Sequence, residues 1–460
     1  MNKNYVLSLL AAASLAACSK NDDNNGTTPP PSTGNDTVMI RGKISANQTW
    51  SKNKVYKLRG YVYVDAPAVL TIEAGTQIIS TRDSAGVLVI YKGAQISAKG
   101  TSDNPIVFTS GHKDKLPGDL GGIVLVGTAP GNGNHAKLEG GVDGDHSAFG
   151  GTKVDDNSGA MQYVRIEYAG KAVAKDDEVN GLSLYAVGNK TTLDHIQVIN
   201  GLDDAYEFFG GTVNAKYLIA YNCADDDFDM DDSYSGMIQF AVSVKQPSFT
   251  DTKSGGDVSN NFEVDNTNGK IPLDTKPTTF PILSNFTAIG PNGDAKTSKD
   301  YGYGMRWRRG AQFILGNSIV MGSQLAAMRI DDNLTMTYYN DGISGVRNSL
   351  LHGTTTLFST ADASGTVTLT ADALQALVKG RDMTATFTNA ADIKLKDPFN
   401  NRTPDLTPQT GSPAITTEAK FADKLSDAFF DKVKYLGAID PANDWTKAKW
   451  VVWDRVVVTQ

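Results

Sequence analysis

The sequence predicts an all-β fold, a parallel β-helix in which short coils stack into a solenoid that ends in a small mixed α/β cap. Three observations predict it. Strand-like segments recur with glycine turns between them, first at an offset of 18 residues and later at 24, 22 and 23. Glycine is frequent (45 residues) and charge modest (20%), which fits turn-rich β structure better than helices. No dinucleotide fingerprint, P-loop, HExxH or GxSxG motif interrupts the pattern. A net charge of −8 with no basic stripe excludes a nucleic-acid partner and leaves room for divalent cations.

At the N-terminus Lys3 precedes a short apolar run, Val6 to Leu15, too short to span a bilayer. The run reads as a signal peptide over residues 1–17. It ends in Leu15-Ala16-Ala17-Cys18, which resembles the lipobox of bacterial lipoproteins and implies a diacylglycerol on the Cys18 thiol. Residues 18–37, with Pro29-Pro30-Pro31 amid Ser, Thr, Gly and Asn, bury too little apolar surface to fold and form a tether. Asp22 and Asp23 resemble the surface-export signal of Bacteroidetes lipoproteins, so an anchored protein displayed outside the outer membrane is expected. Cys223 is then the sole cysteine of the body and reads as a buried free thiol.

The coils begin with Leu70-Thr71-Ile72-Glu73-Ala74-Gly75-Thr76-Gln77-Ile78, repeated as Leu88-Val89-Ile90-Tyr91-Lys92-Gly93-Ala94-Gln95-Ile96. Later coils open on Ser183-Leu184-Tyr185, Tyr206-Glu207-Phe208, Phe228-Asp229-Met230, Phe262-Glu263-Val264, Met305-Arg306-Trp307 and Met328-Arg329-Ile330. No coil hides its own apolar face, so stacking must bury Phe228, Met230, Phe262, Val264 and Trp307 together. The repeat spans residues 38–353, and residues 354–460 supply the last coils and the cap. There Ala371–Lys379 and Phe421–Lys434 have helical spacing, and Trp445, Trp450 and Trp453 read as packing residues. The segment GNGNHAKLEGGVDGDHSAFGG, with His135 and His146 among Gly and Asp, reads as a mobile loop more than as a zinc site, a transition-metal site being the minor alternative.

The stretches LVIYKGAQISAKGTSDNPIVFTS, GGIVLVG, YVRIEYAG, DDAYEFFGGTVNAKYLIAYN and DDDFDMDDSYSGMIQF resemble the pectin-lyase-like right-handed β-helix lipoproteins of Bacteroidetes. The resemblance runs from about Val38 to the C-terminus and implies fold and location. That family's biochemical role is poorly defined, so it implies no reaction.

Alternate strand residues share a face. With Phe228 and Met230 inside, Asp227, Asp229 and Asp231 point out. Aligned by coil, one outward column reads Ser183, Glu207, Asp229, Glu263, Arg306, Arg329, and the next Tyr185, Phe209, Asp231, Asp265, Arg308, Asp331. Coils about 4.8 Å apart would stack carboxylates that repel by a few kcal/mol at an effective dielectric near 20. Such a row must bind a cation, hold a proton or lean on the arginines. From Asp203 to Asp232 nine acidic residues face only Lys216, a crowding of oxygens that suits Ca²⁺. The expected metal ligands are Asp204, Glu207, Asp227, Asp229 and Glu263. The expected ligand-binding residues are Glu207, Asp229, Asp231, Glu263, Asp265, Arg306 and Arg308.

The working expectation is a surface lipoprotein that binds an extracellular ligand, most naturally a glycan, with Tyr185, Phe209 and Tyr234 as aromatic neighbours. The alternatives are a Ca²⁺-dependent polysaccharide lyase or glycoside hydrolase using Asp229, Glu207 and Arg306, and a structural or adhesive protein without a small ligand. Oligomeric state leaves no signature in the chain.

Overall fold

Each coil contributes short strands to three faces, and every face is a ladder of parallel pairs. The first face runs from residues 42–44 and 61–64 through Val87–Ile90, Gly122–Val126, Leu182–Tyr185, Tyr206–Phe209, Phe228–Asp231, Phe262–Asp265, Tyr303–Arg308 and Ala326–Asp331 to Thr356–Ala361. The other two are supplied largely by longer strands that bend once, such as Thr192–Ile199, Asn214–Tyr221, Met237–Val244 and Ile282–Ile289. The protein is a right-handed parallel β-helix. The computed structural model describes residues 36–174, 177–251 and 258–453. The expected signal peptide, Cys18 and nearly all of the tether lie outside them.

Alternation fills the interior. Phe228, Met230, Phe262, Val264 and Trp307 have no exposed surface and belong to one continuous apolar cluster, with Cys223, a free thiol, also inside it. Parallel stacking on both sides leaves no room for a one-residue slip, because a slip would turn this apolar set outward.

The bend between the second and third faces requires one left-handed residue per coil. Tyr163, His195, Tyr217, Phe240 and Asn285 take φ of 50°, 54°, 57°, 60° and 55°. For a bulky residue that conformation costs roughly 1–2 kcal/mol. Stacking offsets the cost: ring centroids are 4.4 Å apart for Tyr163–His195, 4.3 Å for His195–Tyr217 and 5.0 Å for Tyr217–Phe240. At Gly159 (φ 107°) no side chain fits, since a Cβ would lie 1.9 Å from the Ile96 carbonyl oxygen.

The helix Ala371–Gly380, capped by the Thr370 hydroxyl, buries Leu374 and Val378 in the main core at the last coils. From about residue 387 the chain returns along the third face, and Ile393, Leu395, Leu406, Leu436, Ile439 and Trp450 cover Ile199, Ile219, Val242, Ile289, Ile319 and Leu350. Side-chain amides fix this strap: Gln197 bonds both the N–H (3.0 Å) and the C=O (2.7 Å) of Val452, and Gln239 does the same to Asp431 (2.8 and 2.9 Å). The helix expected over Phe421–Lys434 is absent; only the 3₁₀ turn Asp423–Ser426 forms. Leu425 and Phe430 seat on Ile282 and Ile314, and Lys432 spends its ammonium on the Leu425 and Asp427 carbonyls, so packing and local bonds override the helical period. The tryptophans pack as expected, Trp445 and Trp450 stacking at 6.0 Å.

Candidate functional site

The register of the first face brings the anticipated column together. Ser183 pairs with Glu207, Glu207 with Asp229, Asp229 with Glu263, Glu263 with Arg306 and Arg306 with Arg329. In the second column Tyr185 pairs with Phe209, Phe209 with Asp231 and Asp265 with Arg308. Each carboxylate is placed by strand alternation: Phe208, Met230 and Val264 point inward on either side of them.

The two ends of the row differ electrostatically. Towards the C-terminus the charges are paired. Arg308 Nε donates to both oxygens of Asp265 (2.7 and 2.9 Å) and its Nη2 donates to Glu263. Arg306 donates to Glu263 (3.2 Å) and Asp331 (3.0 Å), and Arg309 reaches Asp265 at 2.5 Å. Arg306, Arg308, Arg309 and Arg329, with Asp331 and Asp362, line an open groove of about 370 Å³. Burial works against the Arg306 charge, but Glu263 and Asp331 hold its pKa above the usual value.

At the N-terminal end Glu207 and Asp229 form no ion pair with an arginine among the described residues. Glu207 accepts from the Asn180 amide. The Oδ1 atoms of Asp229 and Asp231 are buried and accept no hydrogen bond among the described residues. Burial, then the charges of Glu139, Asp204 and Asp231, push the Glu207 carboxyl well above its usual range. Burial, then Asp231 and Glu207, does the same to Asp229. For Asp231 burial leads, Asp265 and Asp232 add to it, and Arg308 and Arg309 oppose it. These groups therefore hold protons or wait for a cation. Ligand atoms of Asp204, Glu207 and Asp229 lie within 4.8 Å of one another, as do those of Asp226, Asp229 and Glu263. Oxygen sets of this kind fit a hard cation such as Ca²⁺.

Three expectations need correction. Asp227 is not in the row. It is wholly buried, ion-paired with Lys245 at 3.0 Å and hydrogen-bonded to Ser243, because it lies at the corner before Phe228, where strand alternation has not begun. Tyr185, Phe209 and Tyr234 offer no aromatic platform. Tyr234 sits in the interior against Phe208, while Tyr185 and Phe209 stack at 4.1 Å beneath Leu138 and Phe149 of the 131–151 segment. That segment is tied down, not loose. His146 bonds Asp143 (2.6 Å) and Asp65 (2.8 Å) and stacks on Tyr63, and Asn134 donates to Asp232 at 2.6 Å.

The structure also adds residues that spacing did not reveal. Asn180, Glu139 and His135 reach the face from outside the aligned strands, so no column could contain them. Asp226 and Arg309 adjoin residues of the columns but sit at turns, where the period of two fails.

No curated protein and no solved structure matches the chain. The family described as a pectate-lyase like beta helix domain matches residues 42–394, well over half of the chain and all of the carboxylate row. With its parallel three-faced coil, this chain belongs to the pectate-lyase-like β-helix domain family.

Proposed function

We propose that the protein is a lipoprotein anchored through Cys18 at the outer-membrane surface and that its first face binds a glycan carrying acidic groups. The observation that carries this reading is the groove of Arg306, Arg308, Arg309 and Arg329, continuous with a row of carboxylates whose far members, Glu207 and Asp229, form no ion pair with an arginine among the described residues. Guanidinium forks suit carboxylate or sulfate groups, while Glu207 and Asp229 suit sugar hydroxyls as acceptors. The family's pectate-lyase-like description points towards carbohydrate in the same way. Calorimetric titration of the full chain with an oligogalacturonate and with a neutral xylo-oligosaccharide tests it. Saturable binding of the acidic sugar, weakened in Arg309→Ala and Asp229→Ala, is expected. Equal binding of both sugars, or binding indifferent to both variants, overturns the reading.

Ca²⁺ on Asp204, Glu207, Asp229 and Glu263 belongs to the same proposal, and a chelator arm separates bridged from direct sugar contact. A second reading draws on the carboxyls of Glu207 and Asp229, which burial and neighbouring acids push above their usual range, the direction a general acid needs. A hydrolase would release reducing ends and a lyase unsaturated products absorbing in the ultraviolet, and either activity must vanish in Asp229→Ala. Retained affinity with no product leaves a binding protein; no ligand at all leaves an adhesive surface.

A further inference from the structure

We propose that His135, Asp231 and Asp232 form a site for a divalent transition-metal ion of the zinc or cobalt class, beside the carboxylate row but chemically distinct from it. Ligand atoms of the three residues lie within 4.8 Å of one another. They come from two parts of the chain: His135 from the 131–151 segment, Asp231 and Asp232 from the end of the strand Phe228–Asp231 and the turn after it.

The orientation of each group fits coordination. His135 Nδ1 lies 2.9 Å from Asp232 Oδ2. Two ligands each about 2.1 Å from a metal and roughly at right angles stand about 3 Å apart. Asn134 holds Asp232 Oδ1 at 2.6 Å, which leaves Oδ2 turned to the imidazole. On the far side of the ring Nε2 faces Glu139 Oε1 at 3.7 Å. At that distance the carboxylate is a charge neighbour of the ring and not a hydrogen-bond partner, and it favours a cation held on the Nδ1 side.

An ion pair of His135 with Asp232 accounts for those two residues alone. It leaves Asp231 unexplained. Asp231 is 7% exposed, its Oδ1 accepts no hydrogen bond among the described residues, and its carboxylate offers a ligand atom within 4.8 Å of those of the imidazole and the second carboxylate. A cation at the centre of the three ligand atoms gives that oxygen its partner. One imidazole nitrogen with carboxylate oxygens suits borderline ions, whereas Ca²⁺ takes oxygen ligands alone. Coordination uses the unprotonated Nδ1 lone pair, so any proton on that nitrogen is released to solvent as the metal binds. This inference goes beyond glycan binding and stands or falls separately from it.

Co²⁺ is the probe, added to the lipidated full chain, in which the Cys18 thiol is blocked, and followed by its visible absorption. One equivalent is expected to bind. The affinity falls about tenfold or more in Asp231→Asn and in His135→Gln, since even outer ligands typically carry that much. His146→Gln, in the same segment, leaves it unchanged. Asp231→Asn keeps the side-chain shape and removes no hydrogen bond at Oδ1, so its thermal unfolding without metal stays at or above that of the parent; if His135→Gln unfolds, Asp231→Asn decides. Failure of the parent to bind Co²⁺, or parental affinity in Asp231→Asn, overturns the proposal. Oligogalacturonate titration of the same Asp231→Asn sample reports separately on the glycan reading.

Discussion

Glu207 and Asp229 occupy paired positions on consecutive coils, and among the described residues neither forms an ion pair with a basic side chain. Their carboxyls are raised by burial first and by neighbouring negative charge second. Unfolded, such groups lose their protons near pH 4; folded, they keep them to higher pH. Between those values the native state binds more protons, so stability falls as pH rises. In chelator, the melting temperature should therefore be higher near pH 5 than at pH 7. Asp229→Asn should raise stability at pH 7 by about 1–3 kcal/mol, the scale of one close like-charge contact, and flatten the pH slope. A lower melting temperature for Asp229→Asn would show that a negative charge is wanted there even without metal.

Arg308 gives the opposite result. It neutralises Asp265 and Glu263 together, and both acids are nearly fully buried. Arg308→Leu should cost about 2–3 kcal/mol in urea unfolding, the scale of lost charged hydrogen bonds, because Arg306 still holds Glu263 and Arg309 still holds Asp265. Arg308→Lys should rescue only part of it, because one ammonium cannot reproduce a fork shared between two carboxylates. Full rescue by lysine would mean that net charge matters there and geometry does not.

Much of this site is legible in the sequence for a simple reason. In a parallel coil the side-chain period of two and the stacking of like strands fix which residues become neighbours, so Glu207, Asp229, Glu263 and Arg306 fall into line from spacing alone. The rule holds only inside strands. Asp227 escapes it at a corner, and His135 and Asn180 escape it because the long connections that carry them have no period. Phe421–Lys434 misleads in another way: its apolar spacing matches a helix, but its partners Ile282 and Ile314 stand on a sheet already formed. Contacts made across 100 residues or more leave no local mark in the chain.

Tyr185 separates a packing role from a sugar-binding one. It stacks on Phe209, and its hydroxyl accepts the Glu139 N–H at 3.2 Å. Tyr185→Ala should cost about 3–5 kcal/mol, as for other buried aromatic truncations, and leave oligogalacturonate affinity within a factor of about two of the parent where the fold persists. A large loss of affinity at intact stability would return Tyr185 to the binding surface.

Trp450 tests whether the returning C-terminal strap is part of the fold or only laid on it. Its ring is 1% exposed, stacks on Trp445 and meets His195 edge-on at 5.4 Å, within the column of left-handed residues. Its carbonyl accepts from Arg165 at 3.1 Å. If those bends are stable only because rings cover them, Trp450→Ala should cost more than its own contacts. The expected loss is about 4 kcal/mol, with faster amide exchange at His195 and Tyr217 as well as in residues 440–453. Exchange confined to residues 440–453 would mean that the stacked corner supports itself and the strap merely shields Ile199, Ile219 and Val242 from water.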